Sequence, residues 1–209
     1  MKKKMTLTQS IENFRSAFRN FLFVFCQESG LFRLVNWLEN FIKERPMNSI
    51  QKYLVQVSDN DPMLRTKLLN VPLRLYRENK EYKKFILSIV EYMNRILDMK
   101  FNDYEKVKGI SGANVGIPYN IIIVRHKKGK IVCLNPKITH TGKKVQVKSN
   151  CGSILLKESI EVTRVDKVIL NWVNLDGKEQ TEEYEKTTAY TLQHEVEHNE
   201  GILITDKEK

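Results

Sequence analysis

Thr187-Thr188-Ala189-Tyr190-Thr191-Leu192-Gln193-His194-Glu195-Val196-Glu197-His198-Asn199 is the stretch on which the reading of this chain turns. Ala189, Leu192 and Val196 recur at three- and four-residue steps, which predicts a helix with one apolar face. Gly201 stands where a helix C-cap would fall. On such a helix residues four apart point the same way, so the imidazoles of His194 and His198 can reach one ion. Glu195 follows the first of them and can face a metal-bound water as general base. Histidines buried without partners are costly, and a metal ion removes that cost.

A catalytic ion needs a third protein ligand and an open position. Cys151, in Ser149-Asn150-Cys151-Gly152-Ser153, is the leading candidate, because thiolate binds zinc and ferrous iron strongly and Gly152 frees backbone N–H groups beside it. His126, His140, Glu200 and Asp206 are the other candidates. A glutamate as third ligand would make the site that of an ordinary zinc endopeptidase.

Upstream of this helix the texture is of short β runs. Ile121 to Val124, Lys130 to Leu134 and Val168 to Val173 are rich in branched residues, with turn signals at Lys128-Gly129 and Asp176-Gly177. A second helix is predicted over Glu81 to Met99, with Phe85, Ile86, Ile89, Val90, Met93, Ile96 and Leu97 as its buried stripe. A polar stretch precedes it, after a short extended run at Tyr53 to Val57 and a turn at Asp59 to Pro62. The first 45 residues read as two helices separated by Gly30, and Pro46 to Ser49 makes a boundary. The expectation is therefore an α+β fold; short antiparallel or mixed sheets around a central C-terminal HExxH helix are what the family resemblance of its motifs implies. Residues 1–48 would be a helical extension and 49–209 a separate domain, one that the family resemblance of its motifs implies to be a metal-dependent hydrolase.

The chain has 209 residues, 41% of them hydrophobic and 29% charged, which is globular rather than disordered. Its formal charge of +10 comes from lysines spread along the whole length and forms no specific nucleic-acid motif. Three cysteines (Cys26, Cys133, Cys151) argue against a disulfide framework and for a reducing compartment. Cys133 lies in an apolar run and reads as core. The apolar patch Phe21 to Cys26 is too short to span a bilayer, and Glu12, Glu28, Glu39 and Glu44 speak against an organellar presequence. The expected location is the cytoplasm.

The run from Gln193 to Asp206 resembles the peptide deformylase motif Q-H-E-x-D-H-L-x-G-x-L-x-x-D. Gly109-Ile110-Ser111-Gly112-Ala113-Asn114-Val115-Gly116 is similar to that family's G-[LI]-A-A-x-Q-[VI]-G loop. Asn135-Pro136-Lys137-Ile138 resembles its N-P-x-I segment, Cys151-Gly152-Ser153 its C-L-S, and Asp61-Pro62-Met63-Leu64-Arg65 its D-P-x-L-R. The matches follow family order over about residues 53 to 206.

The resemblance implies removal of the formyl group from the formyl-methionine that begins new polypeptides. It implies one divalent ion per chain, Fe²⁺ natively, with Zn²⁺, Ni²⁺ or Co²⁺ also accepted by such donors. Carried over, Cys151, His194 and His198 hold the metal. Glu195 deprotonates the metal-bound water and later protonates the leaving amine. The Asn114 amide and the Gly152 N–H stabilise the oxyanion, and Gly109 and Ile110 bind substrate. Partners would be N-formylated nascent peptides, with contact to the ribosome surface compatible with the basic charge.

The departures lie around these residues: Asn114 for Gln, Ser149 and Asn150 for Glu-Gly, Gly152 for Leu, Glu197 for Asp, Asn199 for Leu, and Ser111-Gly112 for the paired alanines. Three alternatives stay in view: a deformylase-like metal protein with altered substrate or little activity, which these departures allow; a zinc endopeptidase, on the HExxH helix alone; and a non-enzymatic adaptor whose helical pair at residues 1–45 recruits a partner.

Overall fold

The computed structural model describes residues 64–98, 108–153 and 159–207. The two helices expected before residue 45, the extended run from Tyr53 and the Asp61–Met63 part of the early motif lie outside these residues.

A short helix, α1 (Leu73–Glu78), follows Pro72, and the long helix α2 (Lys80–Asp98) follows it directly. Asn79 makes the break. Its side-chain Oδ1 accepts the Tyr82 N–H at 2.9 Å, the bond of an N-cap residue to the third helical position. This is why Arg77 to Lys80 reads as a polar gap in sequence although helix flanks it on both sides. The predicted stripe of α2 is all buried, and it packs with Ile110, Val115, Ile117, Tyr119, Ile121 and Ile123 into the largest core cluster.

Seven strands follow: β1 (Gly109–Ser111), β2 (Ile121–His126), β3 (Gly129–His140), β4 (Lys144–Ser149), β5 (Ile160–Val165), β6 (Lys167–Val173) and β7 (Glu179–Glu185). They form a five-stranded sheet of order β1-β2-β3-β6-β7 and a separate β4-β5 hairpin sheet, with every strand pair antiparallel. The expected α+β class and the antiparallel sheets are thus present. Strands β4, β5 and β7 were not legible in the sequence, because β4 alternates exposed with half-buried residues and β7 buries only Tyr184.

Asn135 sits at the register shift between Leu134 and Lys137 with φ at +53°. Asparagine tolerates this left-handed backbone better than a branched residue would. Its side chain bridges to the segment before α1, accepting Val71 N–H at 2.7 Å and donating to Val71 C=O at 2.9 Å.

The C-terminal helix α3 (Lys186–Asn199) packs against β1 and β2 on one side and meets β5 and β7 on another. It ends as the sequence predicts. Gly201 has φ +76°, its N–H bonds to His198 C=O at 3.1 Å, and Ile202 N–H bonds to Glu197 C=O at 2.9 Å. That pair of bonds is a Schellman cap. A Cβ at Gly201 would also come within 2.8 Å of the Arg65 backbone. Among the described residues no helix is long and apolar enough to cross a membrane.

Candidate metal centre

His194 and His198 lie one turn apart on α3, and Cys151 stands two residues beyond the end of β4. The structure brings the three together. Cys151 Sγ is 3.2 Å from His198 Nε2, which is 3.1 Å from His194 Nε2, and the three donor atoms lie within 4.8 Å of one another. The rings stand edge-on, 4.5 Å apart at 76°. Cys151, His198 and Glu195 are buried.

Two imidazole nitrogens and a sulfur aimed at one point are three acceptors with at most one proton between each pair, which is a poor arrangement without a cation. An ion bonded to sulfur at about 2.3 Å and to nitrogen at about 2.0–2.1 Å separates neighbouring donors by about 3.3–3.6 Å in a tetrahedron. The two spacings that His198 Nε2 makes, 3.2 Å to the sulfur and 3.1 Å to His194, fall within a few tenths of an ångström of that. These residues fit a divalent metal.

Electrostatics keep both rings in the form that ligates. Burial is the main cause of lowered proton affinity in each. His194 is pushed well below the usual histidine range, with His198, Arg164 and Lys207 adding to the effect. His198 is lowered to about 4 by burial and then by Arg164. Neutral imidazoles at physiological pH need not shed a proton to bind metal.

Arg164 was missed at the sequence level. It is only 1% exposed and donates to Glu197 Oε2 at 2.5 Å, while Lys207 pairs with Glu197 Oε1. Its second guanidinium nitrogen lies 3.5 Å from His194 Nδ1, the long limit of a hydrogen bond, so it acts on that ring chiefly as a nearby charge. The signal appears only once β5 is placed: Val162 and Arg164 occupy successive inward beats of that strand, and a charge on an inward beat needs a partner. Gln193 ties α3 to the same strand, accepting Val165 N–H at 2.9 Å and donating to Val165 C=O at 2.7 Å. Asn199 ties the helix end to the residue that precedes β2, donating to Asn120 Oδ1 at 2.9 Å. Leucine, which the family motif has at that position, could make no such bond.

Glu195 is 4% exposed, and its Oε2 finds no hydrogen-bond partner among the described residues. Burial raises its carboxyl to about 8, against a smaller opposing pull from Arg164. An unpartnered buried carboxylate beside a metal-ligand set is positioned to exchange protons near neutrality.

Gly109 is pressed against it. A Cβ there would lie 2.7 Å from Glu195 Oε1, 2.8 Å from its Cγ and 2.9 Å from Thr191 Cγ2. Gly109→Ala is therefore expected to displace the carboxylate and reduce turnover about 10²-fold while metal content, read by atomic absorption, stays unchanged. Ile110, the neighbouring candidate, turns its side chain into the core under α2. Asn114 lies in the 3₁₀ turn Ala113–Val115, and its amide bonds to Ser111 and Ser153. Gly152 is exposed, and a Cβ there would meet nothing within 4 Å, so packing does not demand glycine.

The other candidate ligands stay away from this cluster. His126 stacks edge-on to Tyr184 at 5.7 Å, and His140 is exposed at the end of β3. Glu200 pairs with Lys67 at 2.5 Å and Asp206 with Arg65 at 2.6 Å.

Comparison with known proteins establishes the family. The family model for polypeptide deformylase matches residues 54–209. A peptide deformylase of Finegoldia magna is 31% identical over 153 residues, covering 71% of this chain and 85% of that protein. One from Buchnera aphidicola is 29% identical over 144 residues, covering 67% and 82%. Among solved structures, a peptide deformylase of Thermotoga maritima superposes with a TM-score of 0.58 at 25% identity, over 73% of this chain and 95% of that one. A class I type b enzyme from Acinetobacter baumannii superposes at 0.63 and 21% identity, over 73% and 97%. With the family model covering everything from β1 to the end of α3 and the cysteine and both histidines of its motif drawn together, the chain belongs to the polypeptide deformylase family.

Proposed function

We propose that this chain hydrolyses the N-formyl group of formyl-methionine on newly made polypeptides, releasing formate and a free amine in the cytoplasm where such chains emerge. The convergence of Cys151, His194 and His198 beside the unpartnered Glu195 carboxylate carries the reading. Residues 49–209 would be the hydrolase, with residues 1–48 an appendage outside the matched segment.

Cys151, His194 and His198 would hold the metal, iron natively, and the bound ion would supply Lewis acidity that lowers the pKa of water and polarises the formyl oxygen. Glu195 takes the proton that attacking water releases. As the C–N bond of the formyl amide breaks, it returns that proton to the departing nitrogen, so the products are formate and the amine. The carboxyl's raised affinity suits both halves of this transfer, since a base near neutrality is also a competent acid. The Asn114 amide and the Gly152 N–H are the proposed donors to the oxyanion.

Backbone directions suggest how the peptide is held. Residues of an antiparallel strand aim N–H and C=O alternately to either side. Lys108 C=O accepts from Arg125 N–H at 2.8 Å and Gly112 N–H donates to Ile121 C=O at 2.9 Å, both on the β2 side. Gly109 therefore directs its backbone groups to the other edge of β1, which pairs with β2 alone among the described residues. An extended substrate laid there places its amide beside Glu195.

The test is formate release from an N-formyl-Met tripeptide by protein loaded anaerobically with Fe²⁺. Formate stoichiometric with free amine, abolished by a chelator and restored by the metal, is expected. Metal-loaded protein that releases none would refute the proposal.

A further inference from the structure

Ser111, the last residue of β1, is fully buried, yet its polar groups serve neither the sheet nor a neighbouring strand. Its Oγ–H donates to Asn114 Oδ1 at 2.7 Å, and its N–H donates to the same oxygen at 2.6 Å. At the far end of the amide, Asn114 Nδ2 donates to Ser153 Oγ at 2.5 Å. The Asn114 N–H leans back on Ser111 Oγ at 3.4 Å, which makes the first contact reciprocal.

An asparagine amide is nearly symmetric in shape, so its hydrogen-bond partners decide which way round it lies. Here they decide it fully. A backbone N–H cannot accept, so the atom facing Ser111 N must be the oxygen. The Ser111 hydroxyl occupies that oxygen's second lone pair and closes off competing donors. The nitrogen is left turned toward the turn that carries Cys151, with one N–H on Ser153 and a second still to give. Ser153 is itself buried, at 4% exposed, and sits two residues from the ligand cysteine.

We infer that Ser111 is a positioning residue: with Ser153 it locks the Asn114 amide as an N–H donor facing the Cys151 turn, which lets a side chain one methylene shorter than glutamine serve the developing oxyanion. The serine and the asparagine thus act as one unit, replacing the alanine and glutamine of the family loop together. The inference rests on the deformylase reading for its catalytic consequence, though not for the orientation of the amide.

Two measurements separate those parts. In Ser111→Ala, kcat for formate release from the formyl-Met tripeptide is expected to fall about tenfold, the effect of losing one hydrogen bond that orients a polar donor, with KM within about twofold of wild type. In an Asn114→Ala background the same change is expected to have no further effect, because the group it positions is gone. Independently of activity, the two side-chain N–H resonances of Asn114 in the metal-free protein are expected to be well separated in wild type and to converge and exchange faster in Ser111→Ala.

Losses that simply add across the two backgrounds, or Asn114 resonances that do not move in Ser111→Ala, would overturn the inference. Protein inactive on formyl peptides whose amide signals nonetheless converge would refute the substrate reading while supporting the positioning role. Ser153→Ala acts from the opposite end of the same bonds. It is expected to give a smaller loss of the same kind, and it serves if Ser111→Ala does not fold.

Discussion

Glu195→Gln is expected to lower kcat/KM for formate release by about 10³-fold, within the 10²–10⁴ range of a lost general base, with metal still bound. Glutamine keeps the shape that fills the space beside Gly109 and Thr191 and removes only the ability to move a proton. The same variant makes a second, opposite forecast for stability. Burial raises the Glu195 carboxyl from 4.5 to about 8. A group whose folded pKa is raised gives its full contribution below its unfolded pKa, and that contribution is lost as pH rises toward the folded value. In the metal-free protein the penalty therefore builds between pH 4.5 and 8. At pH 7 it amounts to up to about 3 kcal/mol, at 1.36 kcal/mol per pKa unit. Metal-free Glu195→Gln should melt above wild type at pH 7 and converge with it near pH 4. Equal melting across that range would mean that the carboxylate is not desolvated as described, and full activity would mean that another group is the base.

Cys151→Ala is expected to strip the metal. Binding free energies of structural zinc sites are about 10–16 kcal/mol over four ligands, so one ligand carries about 3 kcal/mol, or a loss of affinity above a hundredfold. The fold should survive, since Cys151 is a small side chain at the edge of a minor apolar cluster with Leu64, Leu68 and Leu203. Competition titration against a zinc chelator reads the loss directly. The outcome also separates this family from a zinc endopeptidase, whose HExxH helix would draw its third ligand from an acidic residue and stay metallated. Retention of wild-type affinity in Cys151→Ala would favour that alternative. The nearby acids point against it, since Glu200 and Asp206 are both engaged with basic side chains.

What could be read in advance followed from periodicity and spacing. The stripe of α2, the pair of histidines one turn apart and the Gly201 cap each depend on residues within a few positions of one another, and local geometry turns such spacing into contact. The pairing of Cys151 with α3 crosses more than forty positions. Thiolate chemistry made Cys151 the leading candidate and the order of motifs supported it, but no local rule says where a loop cysteine will land. The supports of the site were hidden for a related reason. Arg164, Gln193 and Asn199 are ordinary polar residues in sequence, and their roles come from the partners that the packing of α3 against β5 and the start of β2 brings opposite them. Ser111 was visible as a departure from the family loop, but its meaning appeared only when its hydroxyl was found on Asn114. Helix α1 was lost in a polar stretch because Asn79, an interruption in sequence, is a cap in space.

Arg164, Glu197 and Lys207 also account for a substitution that looks conservative. Glutamate at 197 spans two cations, with one oxygen to Arg164 at 2.5 Å and the other to Lys207. The buried guanidinium is thereby neutralised and held beside His194. The candidate ligand set is thus braced from behind by charges drawn from β5 and from the segment after α3.

Everything in this account depends on one sulfur and two imidazoles sharing a single ion. X-ray absorption at the zinc edge of protein loaded with one equivalent of Zn²⁺ measures that directly. The expected result is one sulfur at about 2.3 Å and two or three nitrogen or oxygen donors at about 2.0–2.1 Å, with the sulfur shell absent in Cys151→Ala. A wild-type spectrum with nitrogen and oxygen donors alone would contradict it.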